Sequence, residues 1–128
     1  MFSEKAQHIL IDVRFDKYPD ELEDVDFWKN FGKEALDKGN YSMLKEHFHS
    51  FKPVGVSGFW LLSESHLSVH TWPEVKHVFM DLFSCGSKVN TKKTVDHLIG
   101  GFEKKKGHVF VCKELERGFV FSSKNDKL

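Results

Sequence analysis

A chain of 128 residues is one domain's worth, too short to hold a separate cofactor-binding domain beside a catalytic one. Its 19 Lys and Arg balance 19 Asp and Glu, and this zero formal charge excludes a general attraction to nucleic acid or to an anionic membrane surface. No apolar run approaches the roughly 20 residues of a membrane-spanning helix, and Met1–Leu10 carries charges where a secretory signal requires an apolar segment, so a soluble, cytoplasmic protein is expected. Cys85 and Cys112 lack metal-ligand spacing and are expected to be reduced thiols, with Cys112 a small buried hydrophobe. Thirteen Phe and three Trp exceed what a minimal core needs, which points to a site or interface lined by rings.

In chain order, His8–Phe15 alternates Ile9, Ile11, Val13 and Phe15 against more polar neighbours, the pattern of a half-buried strand. Pro19 and Asp20 then open a predicted helix to about Lys38, with Leu22, Val25, Trp28, Phe31 and Ala35 or Leu36 on one stripe and Gly39-Asn40 as its stop. Strands are predicted over residues 41–51, 56–62 and 66–72, separated at Pro53-Gly55 and at Ser63-Glu64-Ser65; Pro73-Glu74 turns the chain into another strand over 77–83. A second helix begins near Thr91, where Val95, Leu98, Ile99 and Phe102 fall at i, i+3, i+4 and i+7. A last strand covers 108–115, and the tail from Ser122 is expected to fray. The order β-α-β-β-β-β-α-β predicts an α+β two-layer sandwich: a largely antiparallel sheet with two helices on one face.

Alternation also sorts the side chains of neighbouring strands. Leu67 and Val69 share one face, and His66, Ser68, His70 and Trp72 take the other. On the next strand Val78, Met80 and Leu82 oppose His77, Phe79, Asp81, Phe83 and Cys85. If the apolar rows lie under the helices, the opposite face carries histidines, a serine, an aspartate, a thiol and several rings, which suits a site or a subunit interface better than open solvent. A zinc site is not expected, because His66 and His70 on one strand stand about 13 Å apart by strand rise.

Residues 63–74, Ser-Glu-Ser-His-Leu-Ser-Val-His-Thr-Trp-Pro-Glu, resemble the self-cleavage segment of the prokaryotic S-adenosylmethionine decarboxylase proenzymes. Phe51-Lys52-Pro53-Val54-Gly55-Val56-Ser57-Gly58 upstream and Asp81-Leu82-Phe83-Ser84-Cys85-Gly86 downstream agree in order and spacing, so the resemblance runs from about His8 to Val111. Singly, Ser65 reads as a turn serine, His70 as a structural histidine, and Phe51 and Trp72 as core. In this order they imply a self-processing enzyme.

The resemblance implies that the Ser65 hydroxyl attacks the Glu64 carbonyl to form an ester, with Ser57 polarising that carbonyl and His70 as the base for the following elimination. The implied products are a beta chain, residues 1–64, and an alpha chain, residues 65–128, beginning with a covalent pyruvoyl group derived from Ser65. That ketone would form a Schiff base with a substrate amine and accept electrons as carbon dioxide leaves. By the same resemblance Cys85 donates the returning proton, Phe51 and Trp72 contact the nucleoside of S-adenosylmethionine, and Glu74 accepts from its ribose hydroxyls. Decarboxylated S-adenosylmethionine would serve spermidine synthesis. The implied assembly is a homodimer of cleaved protomers with active sites at the interface, requiring no metal.

Three departures keep rivals open. Ala6-Gln7-His8 lacks the glycine usual before this histidine, Ser84 stands where Thr is common, and Thr91–Lys93 replaces a frequent Asp-Pro. They motivate a pyruvoyl-dependent arginine or ornithine decarboxylase as the alternative, with a non-catalytic regulatory homologue as a third reading.

Overall fold

The computed structural model describes residues 5–118, and the predicted fraying from Ser122 lies outside them. Six strands form one antiparallel sheet: β1 (Lys5–Phe15), β2 (Met43–Ser50), β3 (Val56–Leu62), β4 (Ser65–Trp72), β5 (His77–Ser84) and β6 (Gly107–Gly118), in the spatial order β2-β3-β4-β5-β1-β6. Two helices, α1 (Val25–Lys38) and α2 (Thr91–Lys104), cover one face. The predicted α+β sandwich and its element order are both observed.

The first predicted helix is not continuous. Asp20–Glu23 forms a 3₁₀ turn, the backbone becomes extended at Asp24, and only then does α1 start, with the Asp24 carboxylate accepting from the Asp26 amide at 2.9 Å. A short polar side chain that caps backbone amides competes with helix continuation, and here it won. The break lets Leu22 bury fully and hold Trp28, whose indole N–H donates to the Leu22 carbonyl at 2.8 Å. Asn90 caps α2 in the same way, accepting from the Lys93 amide at 3.1 Å.

The core lies between sheet and helices. Ile9, Ile11, Val13 and Phe15 of β1, Leu67 and Val69 of β4, and Val78, Met80 and Leu82 of β5 face it, along with Trp28, Phe31, Leu98 and Phe102 of the helices. Gly32 lets α1 approach β3, because a Cβ there would overlap the Trp60 ring. The Thr94 hydroxyl on α2 donates to the Ala35 carbonyl on α1 at 2.7 Å, so one polar side chain inside the layer is satisfied across the helix pair.

The opposite face carries no helix. Register places Ser57, His70, Phe79 and Asp12 in one cross-strand row, Phe59, Ser68, Asp81 and Leu10 in the next, and Leu61, His66, Phe83 and His8 in a third. Phe59, Leu61 and Phe79 are exposed there. Cys112, although paired with buried Ile11 on the helix side, is exposed rather than buried, since β6 is an edge strand. No helix among the described residues is long and apolar enough to cross a membrane.

Candidate active site

The predicted cleavage point is the tip of the β3–β4 hairpin. Leu62 pairs with Ser65, leaving Ser63 and Glu64 as a two-residue turn. Ser65 has φ 134°, a region L-residues rarely adopt, so backbone strain falls on the residue next to the bond to be cut. The Glu64 carbonyl accepts from the Cys85 amide at 3.0 Å and from the Cys85 thiol at 3.2 Å. The Ser65 Oγ lies 3.1 Å from the same sulfur. With the thiol proton on the carbonyl, the serine hydroxyl donates to sulfur and keeps its own lone pairs free for attack.

Further contacts hold this arrangement. The Glu64 side chain accepts from the Ser42 amide at 3.1 Å, and a Cβ at Gly86 would collide with the Glu64 side chain. Tyr41, mostly buried, donates to Ser84 Oγ at 2.8 Å and lies 3.0 Å from Thr91 Oγ1, anchoring the end of β5 that carries Cys85. Burial raises the Tyr41 phenol, outweighing its hydrogen bonds with Ser84 and Thr91, so it remains a donor.

Ser57 and His70 are the second pair, opposite each other on β3 and β4, with Ser57 Oγ 2.7 Å from His70 Nδ1. With the proton on Nδ1 the ring donates to Ser57 and presents Nε2 as a base. Beside them opens a cleft of about 310 Å³ lined by Phe51, Val54, Ser57, Trp72 and Glu74 among others. Phe51 and Trp72 are about half exposed, 49% and 51%, so neither is core. Phe51 stands edge-on to His49, and its loop closes through the Phe51 amide and the Gly55 carbonyl at 2.7 Å. A larger hollow of about 590 Å³ between Tyr18 and Lys105 contains none of the candidate residues, and its Lys105 and Glu21 pair with each other at 2.6 Å.

The eight sequence candidates therefore fall into two groups. Glu64, Ser65 and Cys85 meet at one end of β4; Ser57, His70, Trp72, Glu74 and Phe51 gather at the other. Five residues of strand separate Ser65 from His70, about 16 Å at normal strand rise, so within one chain the expected base does not reach the expected nucleophile.

Between the two groups lies a cluster that sequence reading assembled only as a face. Asp81 Oδ2 accepts from His8 Nε2 at 2.7 Å and His66 Nε2 at 2.9 Å, and Ser68 bonds its other oxygen. Burial pushes the Asp81 carboxyl up, but the hydrogen bonds from Ser68, His8 and His66 together outweigh it and hold it below the ordinary carboxylate range. The ligand atoms of His8, His66 and Asp81 lie within 4.8 Å of one another, a spacing a metal could bridge. Arg117, however, lies 3.5 Å from His8 Nδ1 and can only donate, which leaves the His8 proton on Nε2, aimed at Asp81. The cluster therefore reads as a hydrogen-bonded hub.

The fold is that of a solved adenosylmethionine decarboxylase: the crystal structure of the Aquifex aeolicus VF5 enzyme superposes with a TM-score of 0.70 over 97% of this chain and 99% of that one, at 25% identity. The sequence profile described as S-adenosylmethionine decarboxylase matches residues 7–118. S-adenosylmethionine decarboxylase proenzymes are 35% identical over 121 residues in Thermodesulfovibrio yellowstonii, covering 94% of this chain and 86% of the relative. The Sulfurihydrogenibium relative is 43% identical over 95 residues, covering 72% and 68%. The chain belongs to the S-adenosylmethionine decarboxylase family.

Proposed function

We propose that this chain is the proenzyme of a pyruvoyl-dependent S-adenosylmethionine decarboxylase that cuts itself between Glu64 and Ser65. The observation that carries the reading is the Glu64 carbonyl, held by two Cys85 donors next to the Ser65 hydroxyl at a strained residue. Ser65 Oγ bonds to the Glu64 carbonyl carbon, the Cys85 amide and thiol stabilise the oxyanion, and the C–N bond breaks as the proton given up by the Ser65 hydroxyl passes to the nitrogen. Loss of the Ser65 α-proton to a base then expels Glu64 as a carboxylate. The residual dehydroalanine tautomerises and hydrolyses, releasing ammonia.

The geometry around Ser65 suits a pyruvoyl group, with the Cys85 sulfur 3.1 Å from the Oγ of the residue whose carbon skeleton would become it. When present, that group supplies a ketone for the substrate amine and an acceptor for the electrons left by carbon dioxide. Cys85 is then placed to return a proton. Phe51 and Trp72 offer faces for an adenine and a sulfonium, and Glu74 offers acceptors for ribose hydroxyls.

The distance between Ser65 and His70 supports a homodimer whose sites are shared. Two open faces packed against each other would bury Phe59, Leu61 and Phe79 and bring Ser57 and His70 of one protomer toward Ser65 and Cys85 of its partner. Sedimentation at micromolar concentration is expected to show a dimer.

The denatured mass of freshly purified protein, with Ser65→Ala alongside, tests the reading. Two fragments meeting at Glu64 and Ser65 are expected, the second lighter by one ammonia than a hydrolysed product. An intact wild-type chain after long incubation would overturn it. Release of carbon dioxide from carboxyl-labelled S-adenosylmethionine, against labelled arginine and ornithine, then settles the substrate, since a site built for a nucleoside rejects a bare amino acid.

A further inference from the structure

Glu23 has no place in the chemistry above, yet it is the tie between the two walls of the Phe51–Trp72 cleft. It lies at the end of the 3₁₀ turn, distant in sequence from both walls. Its Oε1 accepts from the Gly55 amide at 2.7 Å. Its Oε2 accepts from the Tyr18 hydroxyl at 3.2 Å and from Thr71 Oγ1 at 3.4 Å. Thr71 is buried and itself accepts from the Val56 amide at 2.8 Å. One carboxylate thus holds the end of the loop that carries Phe51 and, through Thr71, the strand residue just before Trp72.

Among the described residues the loop closes on itself through one backbone hydrogen bond, Phe51–Gly55, and Gly55 has φ 111°, a conformation that any other residue would hold only with strain. Burial raises the Tyr18 phenol well above its ordinary value, so it stays protonated and continues to donate to Glu23. Hydrogen bonds to a charged acceptor are the stronger kind, which suits a part-buried carboxylate holding a buried loop amide.

We propose that Glu23 is a positioning residue for the substrate subsite, fixing the gap between Phe51 and Trp72 into which a purine-sized ring fits. The inference rests on the substrate reading above. It predicts that Glu23 acts on binding and leaves self-cleavage alone, because its hydrogen bonds go to Tyr18, Gly55 and Thr71 and to none of Ser57, Ser65, His70 and Cys85.

The test compares wild type with Glu23→Ala, Glu23→Gln and Glu23→Asp. Fragment masses report cleavage, calorimetric titration with methylthioadenosine reports binding, and KM and kcat for S-adenosylmethionine report turnover. Expected are normal cleavage in all four, affinity about tenfold weaker for Ala with a matching rise in KM and kcat held within about twofold, and near-complete rescue by Gln, which keeps the Gly55 acceptor. Asp, one methylene too short to span both partners, should resemble Ala. If Ala fails to fold, the Gln–Asp pair decides: equal affinities for these two overturn the inference, as does wild-type affinity in Ala. Wild-type protein that cleaves itself but neither binds methylthioadenosine nor decarboxylates S-adenosylmethionine overturns the substrate reading, a result distinct from failure of Glu23 alone.

Discussion

The two faces of this sheet are built from alternate residues of the same strands, yet they behave differently. Toward the helices, Leu67, Val69, Val78 and Leu82 are fully buried and interchangeable in kind, apolar and filling volume. Away from the helices, Ser57, His66, Ser68, His70, Asp81 and Phe83 are partly or wholly exposed, and each has a specific partner. The helix face stores the stability; the open face stores the specificity, and its exposed rings leave it suited to a second sheet. Along β4 a second contrast appears. One end holds the bond proposed to be cut and the other the proposed substrate cleft, and about 16 Å of strand separates Ser65 from His70.

The largest effect should come from separating those two ends genetically. Ser65→Ala and His70→Ala are each expected to abolish decarboxylation. Refolded together, they should regain about a quarter of wild-type activity, because in the proposed homodimer random pairing makes half the dimers mixed and each mixed dimer holds one complete site. Assays of the mixed sample against each variant alone decide it, and no recovery would mean that both pairs act within one chain.

The contrast between faces is sharpened by Leu67→Ala against Phe79→Asp. Leu67→Ala removes buried volume and is expected to cost about 2–5 kcal/mol in urea denaturation. Phe79→Asp changes only the open face and should instead convert the proposed dimer to a monomer in sedimentation, with the far-ultraviolet spectrum unchanged. Loss of secondary structure in Phe79→Asp would erase the distinction between the faces.

At the cleft end, Glu74→Ala should raise KM about tenfold, equivalent to about 1.4 kcal/mol, while the fragment masses stay those of wild type. Impaired cleavage in this variant would show that the two ends of β4 are coupled.

The smallest effect concerns Asp81 between them. Its carboxyl is held below its unfolded value, so its contribution to stability is fully present above that value, near pH 4, and is lost as pH falls through the folded one. Asp81→Asn should flatten the acid limb of a stability–pH curve followed by circular dichroism. An unchanged acid limb would mean that the hub with His8, His66 and Ser68 contributes nothing to it.

The sequence by itself determined the strands, the helices and the two faces, because alternation and helical periodicity are local and Leu67 or Val95 declares its side without reference to distant neighbours. It also contained the separation of Ser65 from His70, since five residues of strand have a known length, although their order in the motif reads as one catalytic group. The break at Asp24 was less legible: a carboxylate can continue a helix or cap one, and the burial of Leu22 against Trp28 decided between them. Only the tertiary structure decided that Cys85, 21 residues on, would turn both its amide and its thiol to the Glu64 carbonyl. Only it decided that Glu23 would reach Gly55 and Thr71, 32 and 48 residues away. Such contacts depend on how sheet and turn pack together, and no periodicity within either segment encodes them.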